Sequence, residues 1–187
     1  MAVEPNTVVT MPALALRGLT IFPNMLLHFD VGRDTSIKAL DQAMSEGLPI
    51  FLVAQRDLSV EEPGQEDLYH IGTISNVKQI LRLPGGNVRV MVEGSSRGRL
   101  LGLSQSAPFL QGAVEYLPVP EHTRNTPKTE ALIRSTYELF ESYAGLSPRM
   151  TGDVLISVLA SDDPGYIADY IAQNIAMRAS DKQGILE

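Results

Sequence analysis

The spacing of apolar residues changes near residue 120, and this change limits the possible folds more than any other feature of the sequence. Before it, short apolar runs are separated by glycine and proline, which is typical of strands joined by turns. From Thr126 onward, apolar residues recur every three or four positions, as along one face of a helix. The sequence therefore predicts an α+β protein, with a β-rich subdomain over residues 1–118, a linker over 119–125 and an α-helical bundle over 126–187.

Seven apolar segments of the first part have the length and turn boundaries of strands. They lie near residues 13–17, 25–31, 50–55, 72–83, 88–93, 98–103 and 110–117. A hairpin is predicted at Pro84-Gly-Gly-Asn87, because glycine readily adopts the positive φ angles of tight turns. A turn or bulge is predicted in the glycine-rich segment 93–98. So many short strands favour a closed or nearly closed sheet.

One helix is predicted among the strands. Any of residues 34–36 can serve as its N-cap, and Gly47 can end it. Ile37, Leu40 and Met44 lie along one stripe of this helix and are expected to be its buried face. We expect the helix to cover one end of the sheet.

Three dipeptides place a capping residue directly before a proline and so predict helix starts in the second part. They are Thr126-Pro127, Ser147-Pro148 and Asp163-Pro164. Ser180 and Gln183 have the spacing of a capping box, which predicts a fourth helix. Only seven positions follow Ser180, and so short a helix is marginal alone. We therefore expect the chain to be part of a longer protein, cut within its last helix.

Charge and composition exclude several kinds of partner. Fifteen basic and 22 acidic residues give a net charge of −7, which opposes the phosphate attraction on which nucleic-acid binding depends. The absence of cysteine and the presence of only three histidines argue against a structural metal site. No signal peptide and no apolar run long enough to span a membrane is found. We expect a cytoplasmic protein that binds neither nucleic acid nor membrane.

No catalytic motif is found in the sequence. A P-loop needs a lysine after its last glycine, and none of the four lysines follows a glycine. The Gly-x-Ser-x-Gly motif of serine hydrolases is also absent. We therefore predict that this chain is not itself an enzyme and holds no cofactor.

An apolar turn is the first candidate for binding. Phe22, Pro23, Met25 and Leu26 surround a Pro-Asn turn, and if exposed they offer an adaptable surface to unfolded polypeptide. Core packing is the alternative interpretation for most of them.

The start of the first helix is the second candidate. Arg33 and Asp34 lead into it, and Lys38 follows one turn later, where an acidic or extended segment of a partner can dock. Ordinary helix capping and surface charge are the alternative.

Short motifs in a fixed order run through both parts of the chain. They are Met11-Pro-Ala-Leu-Ala-Leu-Arg17, Phe22-Pro23, Val31-Gly-Arg33, Leu52-Val-Ala-Gln55, Pro63-Gly64, Ile71-Gly-Thr73, Leu83-Pro-Gly85, Val92-Glu-Gly94 with Arg97, Asp163-Pro164 with Ala168-Asp169, and Asp181-Lys-Gln183. In these motifs, over about residues 11–187, the chain resembles the N-terminal domain of the bacterial Lon family of ATP-dependent serine proteases.

The resemblance implies a fold and a role. The fold is a PUA-like pseudobarrel followed by a helical bundle. The role is to capture unfolded or damaged protein substrates and to contact other subunits of a hexamer. ATP and Mg²⁺ binding, and cleavage by a serine-lysine pair, belong to other modules of the parent protease. The alternative is a free-standing LON-domain adaptor or scaffold without an ATPase. An RNA-binding pseudobarrel, suggested by fold analogy alone, is opposed by the net charge.

Overall fold

The computed structural model describes residues 6–118, 126–148 and 150–187, and the predicted linker over 119–125 lies outside them. The described residues form one six-stranded β-sheet and five α-helices. The strands are β1 (Val8–Leu16), β2 (Leu26–Val31), β3 (Ile50–Ala54), β4 (Ile71–Arg82), β5 (Val88–Gln105) and β6 (Gln111–Tyr116). The helices are α1 (Asp34–Glu46), α2 (Pro127–Leu146), α3 (Gly152–Leu159), α4 (Pro164–Asn174) and α5 (Ala179–Leu186).

The sheet closes on itself through the long strand β5. The strand order is β2-β5-β4-β3-β1-β6, and β6 pairs back onto β5. One edge of β5 pairs with β4, while its other edge pairs first with β2 over 88–93 and then with β6 over 98–105. Five strands thus form a ring that β2 extends, which confirms the prediction of a closed or nearly closed sheet.

The two strands predicted at 88–93 and 98–103 are one continuous strand, so six strands are present where seven were predicted. A register shift in the β4–β5 pairing, from Ile74 opposite Ser96 to Ser75 opposite Gly94, leaves Ser95 as a bulge. The bulge bends β5 without ending it. The predicted hairpin at 84–87 is confirmed, with φ angles of 91° and 89° at Gly85 and Gly86.

The two faces of β3 are both buried, because successive side chains of a strand point to opposite faces. Ile50 and Leu52 join a cluster with Ala39, Leu40 and Ala43 of α1. Phe51 and Val53 join a second cluster, to which all five strands of the ring contribute. The second cluster is therefore the interior of the ring, and the first cluster fixes α1 against its outside.

The prediction for the buried face of α1 is confirmed at Leu40, and Ile37 is half-buried against the same cluster. Ser36, Ala39, Leu40 and Ala43 are buried, whereas Met44 is 44% exposed. The predicted burial of Met44 is therefore wrong. The helix begins at Asp34 after Arg33, so the predicted N-cap at 34–36 is wrong, while the end at Gly47, with φ 64°, is confirmed.

Helices α2 and α4 begin at the predicted caps. The Thr126 hydroxyl accepts from the Thr129 N–H, and the Asp163 carboxylate accepts from the N–H groups of Gly165 and Tyr166. The helix start predicted at Ser147 is wrong. Ser147 is the C-cap of α2, and α3 begins at Gly152 after a turn in which the Met150 N–H donates to the Ser147 carbonyl.

Helix α5 begins at Ala179 after Arg178, so the predicted capping box at Ser180 is wrong. Gln183 instead donates through Nε2 to the Ile71 carbonyl at 2.9 Å. Because eight residues make a marginal helix in isolation, α5 depends on tertiary packing for its stability. Its buried Gln183 and Leu186 supply that packing.

Candidate functional site

The apolar turn between β1 and β2 is held by backbone hydrogen bonds to β5. The N–H of Asn24 donates to the Gly94 carbonyl, and the N–H of Gly94 donates to the Met25 carbonyl, both at 2.9 Å. A Cβ on Gly94 would lie 2.2 Å from the Phe22 carbonyl oxygen. Only glycine therefore permits this close approach of β5 to the turn.

The four apolar side chains of this turn differ in exposure. Phe22 and Pro23 are buried, Met25 is half-buried, and Leu26 is 59% exposed. Phe22 and Pro23 thus pack in the core, as the core-packing interpretation predicts, and do not form an exposed apolar surface. Phe22 packs against Ala172 of α4 and Leu186 of α5, which cover it. These contacts join residues some 150 positions apart, so nothing in the local sequence signals them.

An ion pair fastens the same helices to the sheet. Arg97 of β5 donates to both carboxylate oxygens of Asp169 on α4, at 2.6 and 2.9 Å, and through Nε to the Leu186 carbonyl at 2.8 Å. Asp169 is 5% exposed. Its burial raises the pKa of this carboxyl, and the hydrogen bond from Arg97 offsets part of the rise. Neither residue was predicted as a site residue, although both belong to the motifs that carry the family resemblance.

The second candidate segment lies beside a cleft of about 390 Å³. Arg33 is half-buried there and donates to Gln55 Oε1 at 2.5 Å, while Asp34 and Lys38 are exposed. Burial lowers the pKa of Arg33, and the nearby charge of Arg17 lowers it further. Arg17, which the sequence analysis did not single out, also lines this cleft.

The fold does not bring the two candidate segments together. They lie at opposite ends of β2, whose six residues separate them by roughly 20 Å. Leu26 begins the strand, and Arg33 follows its end. The predicted residues thus belong to two distinct surfaces, one apolar and one cationic.

The described residues contain no group of three or more histidine, aspartate or glutamate side chains placed to hold a metal ion. In the same parts of the chain, no helix has the length and apolar character needed to cross a membrane.

One family model covers helices α1, α4 and α5 and all of the closed sheet except the first two residues of β1. Residues 10–187 match the model of the ATP-dependent protease La (LON) substrate-binding domain. The chain belongs to this Lon domain family. The family resemblance carried by the sequence motifs is thereby confirmed.

Two Lon proteases illustrate the relationship. That of Clostridioides difficile is 43% identical over 180 residues, covering 95% of this chain and 23% of that protein. That of Escherichia coli K12 is 38% identical over 184 residues, covering 98% of this chain and 23% of that protein. The chain thus spans about a quarter of the length of these Lon proteases.

A solved structure supports the Lon domain fold. The N-terminal domain of Mycobacterium avium complex Lon protease superposes with a TM-score of 0.72 at 22% identity, covering 96% of this chain and 90% of that one. At this level of identity, the likeness supports the fold alone.

Proposed function

We propose that this chain is the substrate-recognition and assembly domain of an ATP-dependent Lon protease that degrades misfolded and regulatory proteins. The observation that carries the proposal is the match of residues 10–187 to a substrate-binding domain family. We propose that the whole protein is a cytoplasmic serine endopeptidase with a serine-lysine pair, which uses ATP and Mg²⁺ and works as a hexamer. In this proposal, the present chain binds substrate proteins, and other parts of the protease catalyse cleavage.

The proposed subdomains are a PUA-like pseudobarrel over 1–118 and a helical bundle over 126–187. The closed ring of five strands supports the first. The core that α2, α3 and α4 share around Phe140, Val158 and Ile167 supports the second. The packing of Phe22 against Ala172 of α4 and Leu186 of α5 supports a contact between the two proposed subdomains.

The proposed substrate surface is the exposed start of β2, at Met25 and Leu26. In the described residues β2 pairs only with β5, so its outer edge is free to pair with an extended polypeptide. Leu26 presents an exposed apolar side chain at the end of that edge. Buried Phe22 and Pro23 support this surface from behind, which assigns them a structural role.

Matched leucine variants test this surface. We expect Leu26→Asn to weaken capture of reduced, carboxymethylated lactalbumin roughly five- to tenfold, because it removes about 1–1.5 kcal/mol of apolar contact. Leu101→Asn is the control, since Leu101 is similarly exposed, at 48% against 59%, but lies on β5 beyond the β2 pairing. Binding is measured by biolayer interferometry, and circular dichroism checks the fold. Equal binding by both variants would remove Leu26 from the substrate surface.

An assembly contact is supported by α2. Leu132, Leu139 and Leu146 recur every seven residues, so they lie on one stripe of the helix, and they are 59%, 70% and 85% exposed. A second copy of this chain can cover such a stripe.

The free-standing adaptor is distinguished from a protease domain by the coding sequence downstream of Glu187. A P-loop with Gly-Lys-Thr supports the protease. A stop codon there supports the adaptor.

A further inference from the structure

The cleft beside Arg33 is built from four segments. They are the end of β1, the loop after it, the end of β2 and the first turn of α1. Its apolar walls come from Leu14, Leu16, Leu19, Phe29 and Val31. A volume of about 390 Å³ is within the range of small ligand sites. The cleft is thus large enough for one apolar side chain together with its backbone.

Two guanidinium groups lie at this cleft, and neither is neutralised. Arg17 donates to the Val60 carbonyl at 3.0 Å, and Arg33 donates to the Gln55 side-chain oxygen, so both acceptors are uncharged. Within the described parts of the chain, neither arginine forms a salt bridge. Asp30 also lines the cleft, but Arg89 already binds both of its carboxylate oxygens, at 2.7 and 2.9 Å.

The charge of Arg17 acts on the pKa of Arg33 more strongly than the opposing charge of Glu61 does. Burial is the main cause that lowers the pKa of Arg33, the charge of Arg17 is the second, and the opposing effect of Glu61 is the smallest of the three. Ser36, 7% exposed, lines the same cleft and makes no side-chain hydrogen bond to a described residue. Two cations and a hydroxyl are therefore available to an anionic ligand.

We infer that this cleft binds the C-terminal carboxylate of a polypeptide whose last residue is apolar. Guanidinium groups match the geometry of a carboxylate with paired hydrogen bonds. In the last residue of a polypeptide, the carboxylate and the side chain are attached to the same Cα atom. A terminal apolar residue can therefore place its carboxylate at the arginines and its side chain against the apolar walls of the cleft. The inference rests on the proposed substrate-binding function and deepens it, because it names a class of substrate end.

Peptide binding to the 187-residue chain tests the inference. The probe is a fluorescein-labelled octapeptide that ends in leucine, used as the free acid and as the C-terminal amide, with binding followed by fluorescence anisotropy. Loss of a charge-assisted hydrogen-bond pair typically weakens binding by roughly tenfold or more. We therefore expect the free acid to bind at least about tenfold more tightly than the amide.

Variants assign the effect to the cleft. Arg17→Gln is the main variant, because Arg17 is exposed and its one side-chain hydrogen bond to a described residue is to the Val60 carbonyl. It should weaken binding of the free acid about tenfold and leave the amide unchanged. Arg82→Gln is the control, because Arg82 is an exposed arginine that pairs with Asp41 and neither residue lines the cleft. Arg33→Gln is the second variant, with circular dichroism to confirm that the start of α1 remains folded.

Equal affinities for acid and amide, or an unchanged free-acid affinity in Arg17→Gln, would overturn the inference. The proposed function has a separate readout, the capture of carboxymethylated lactalbumin. If that capture persists while acid and amide bind equally, only the cleft assignment fails. If wild-type protein captures no lactalbumin, the proposed function fails as well.

Discussion

Arg97 and Asp169 are the residues that most directly couple the helices to the sheet. Asp169 is almost fully buried, so its charge is stable only while Arg97 remains bonded to it. Burial and the ion pair act on its pKa in opposite directions, and burial has the larger effect. The carboxyl group of Asp169 therefore binds a proton more tightly in the folded protein than in the unfolded chain.

The pH dependence of stability follows from that direction. A raised folded-state pKa contributes stability that is fully present below the unfolded value of 3.8 and is lost as pH rises through the folded value. The unfolding free energy of wild type minus that of Asp169→Asn should therefore fall as pH rises above 3.8. Each unit of pKa elevation contributes about 1.4 kcal/mol to this fall. Urea denaturation at a series of pH values measures it.

Asp181, a half-buried acid, provides the control in which the pKa shift has the opposite sign. The hydrogen bond from Arg178 lowers the pKa of Asp181, so stability from this group is present above its unfolded value and is lost as pH falls. The unfolding free energy of wild type minus that of Asp181→Asn should thus rise with pH. If the difference in unfolding free energy between wild type and Asp169→Asn also rises with pH, the ion pair affects the pKa of Asp169 more than burial does. The pKa of Asp169 is then lowered and not raised.

Among the helices and strands, some turns and helix ends were predicted correctly because a few neighbouring residues determine them. The hairpin at 84–87, the caps at Thr126 and Asp163 and the end of α1 at Gly47 depend on a few neighbouring residues, and each is confirmed. The start of α5 was wrong because the Gln183 side chain donates to the Ile71 carbonyl, 112 positions away, and its Oε1 accepts no hydrogen bond from a described residue, as a capping box would require.

The candidate site was less predictable than the fold for the same reason. Arg33 was identified from its own segment, but Arg17, which completes the cleft, lies on another. The sequence alone left Phe22 between an exposed turn and the core, because the helices that cover it lie far along the chain. Burial by residues that are distant in the sequence cannot be predicted from the neighbouring residues alone.

The leucine stripe of α2 gives a prediction at the same scale. If a second copy of the chain covers it, Leu139→Asn should weaken self-association about tenfold, since burying one leucine contributes roughly 1.5–3 kcal/mol. Sedimentation velocity over a range of concentrations measures this change. Leu58→Asn is the control, because Leu58 is 52% exposed on a loop away from α2. Identical sedimentation of wild type and Leu139→Asn would assign no assembly role to the stripe.

For the whole molecule, the net charge of −7 determines how the two proposed surfaces respond to salt. Carboxymethylated lactalbumin is itself acidic, so its capture at the apolar start of β2 works against long-range repulsion. Raising NaCl from about 0.05 to about 0.5 M shortens the screening length from roughly 14 Å to roughly 4 Å. This change weakens repulsion and leaves apolar contact largely intact.

Lactalbumin capture should therefore stay constant or strengthen with salt, whereas the free-acid octapeptide should bind several-fold more weakly, because its carboxylate depends on Arg17 and Arg33. The amide octapeptide is the matched control and should be insensitive to salt. Both responses are measured on one protein sample, by interferometry and anisotropy. A steep loss of lactalbumin binding with salt would show that capture is electrostatic, and would contradict an apolar substrate surface on this acidic domain.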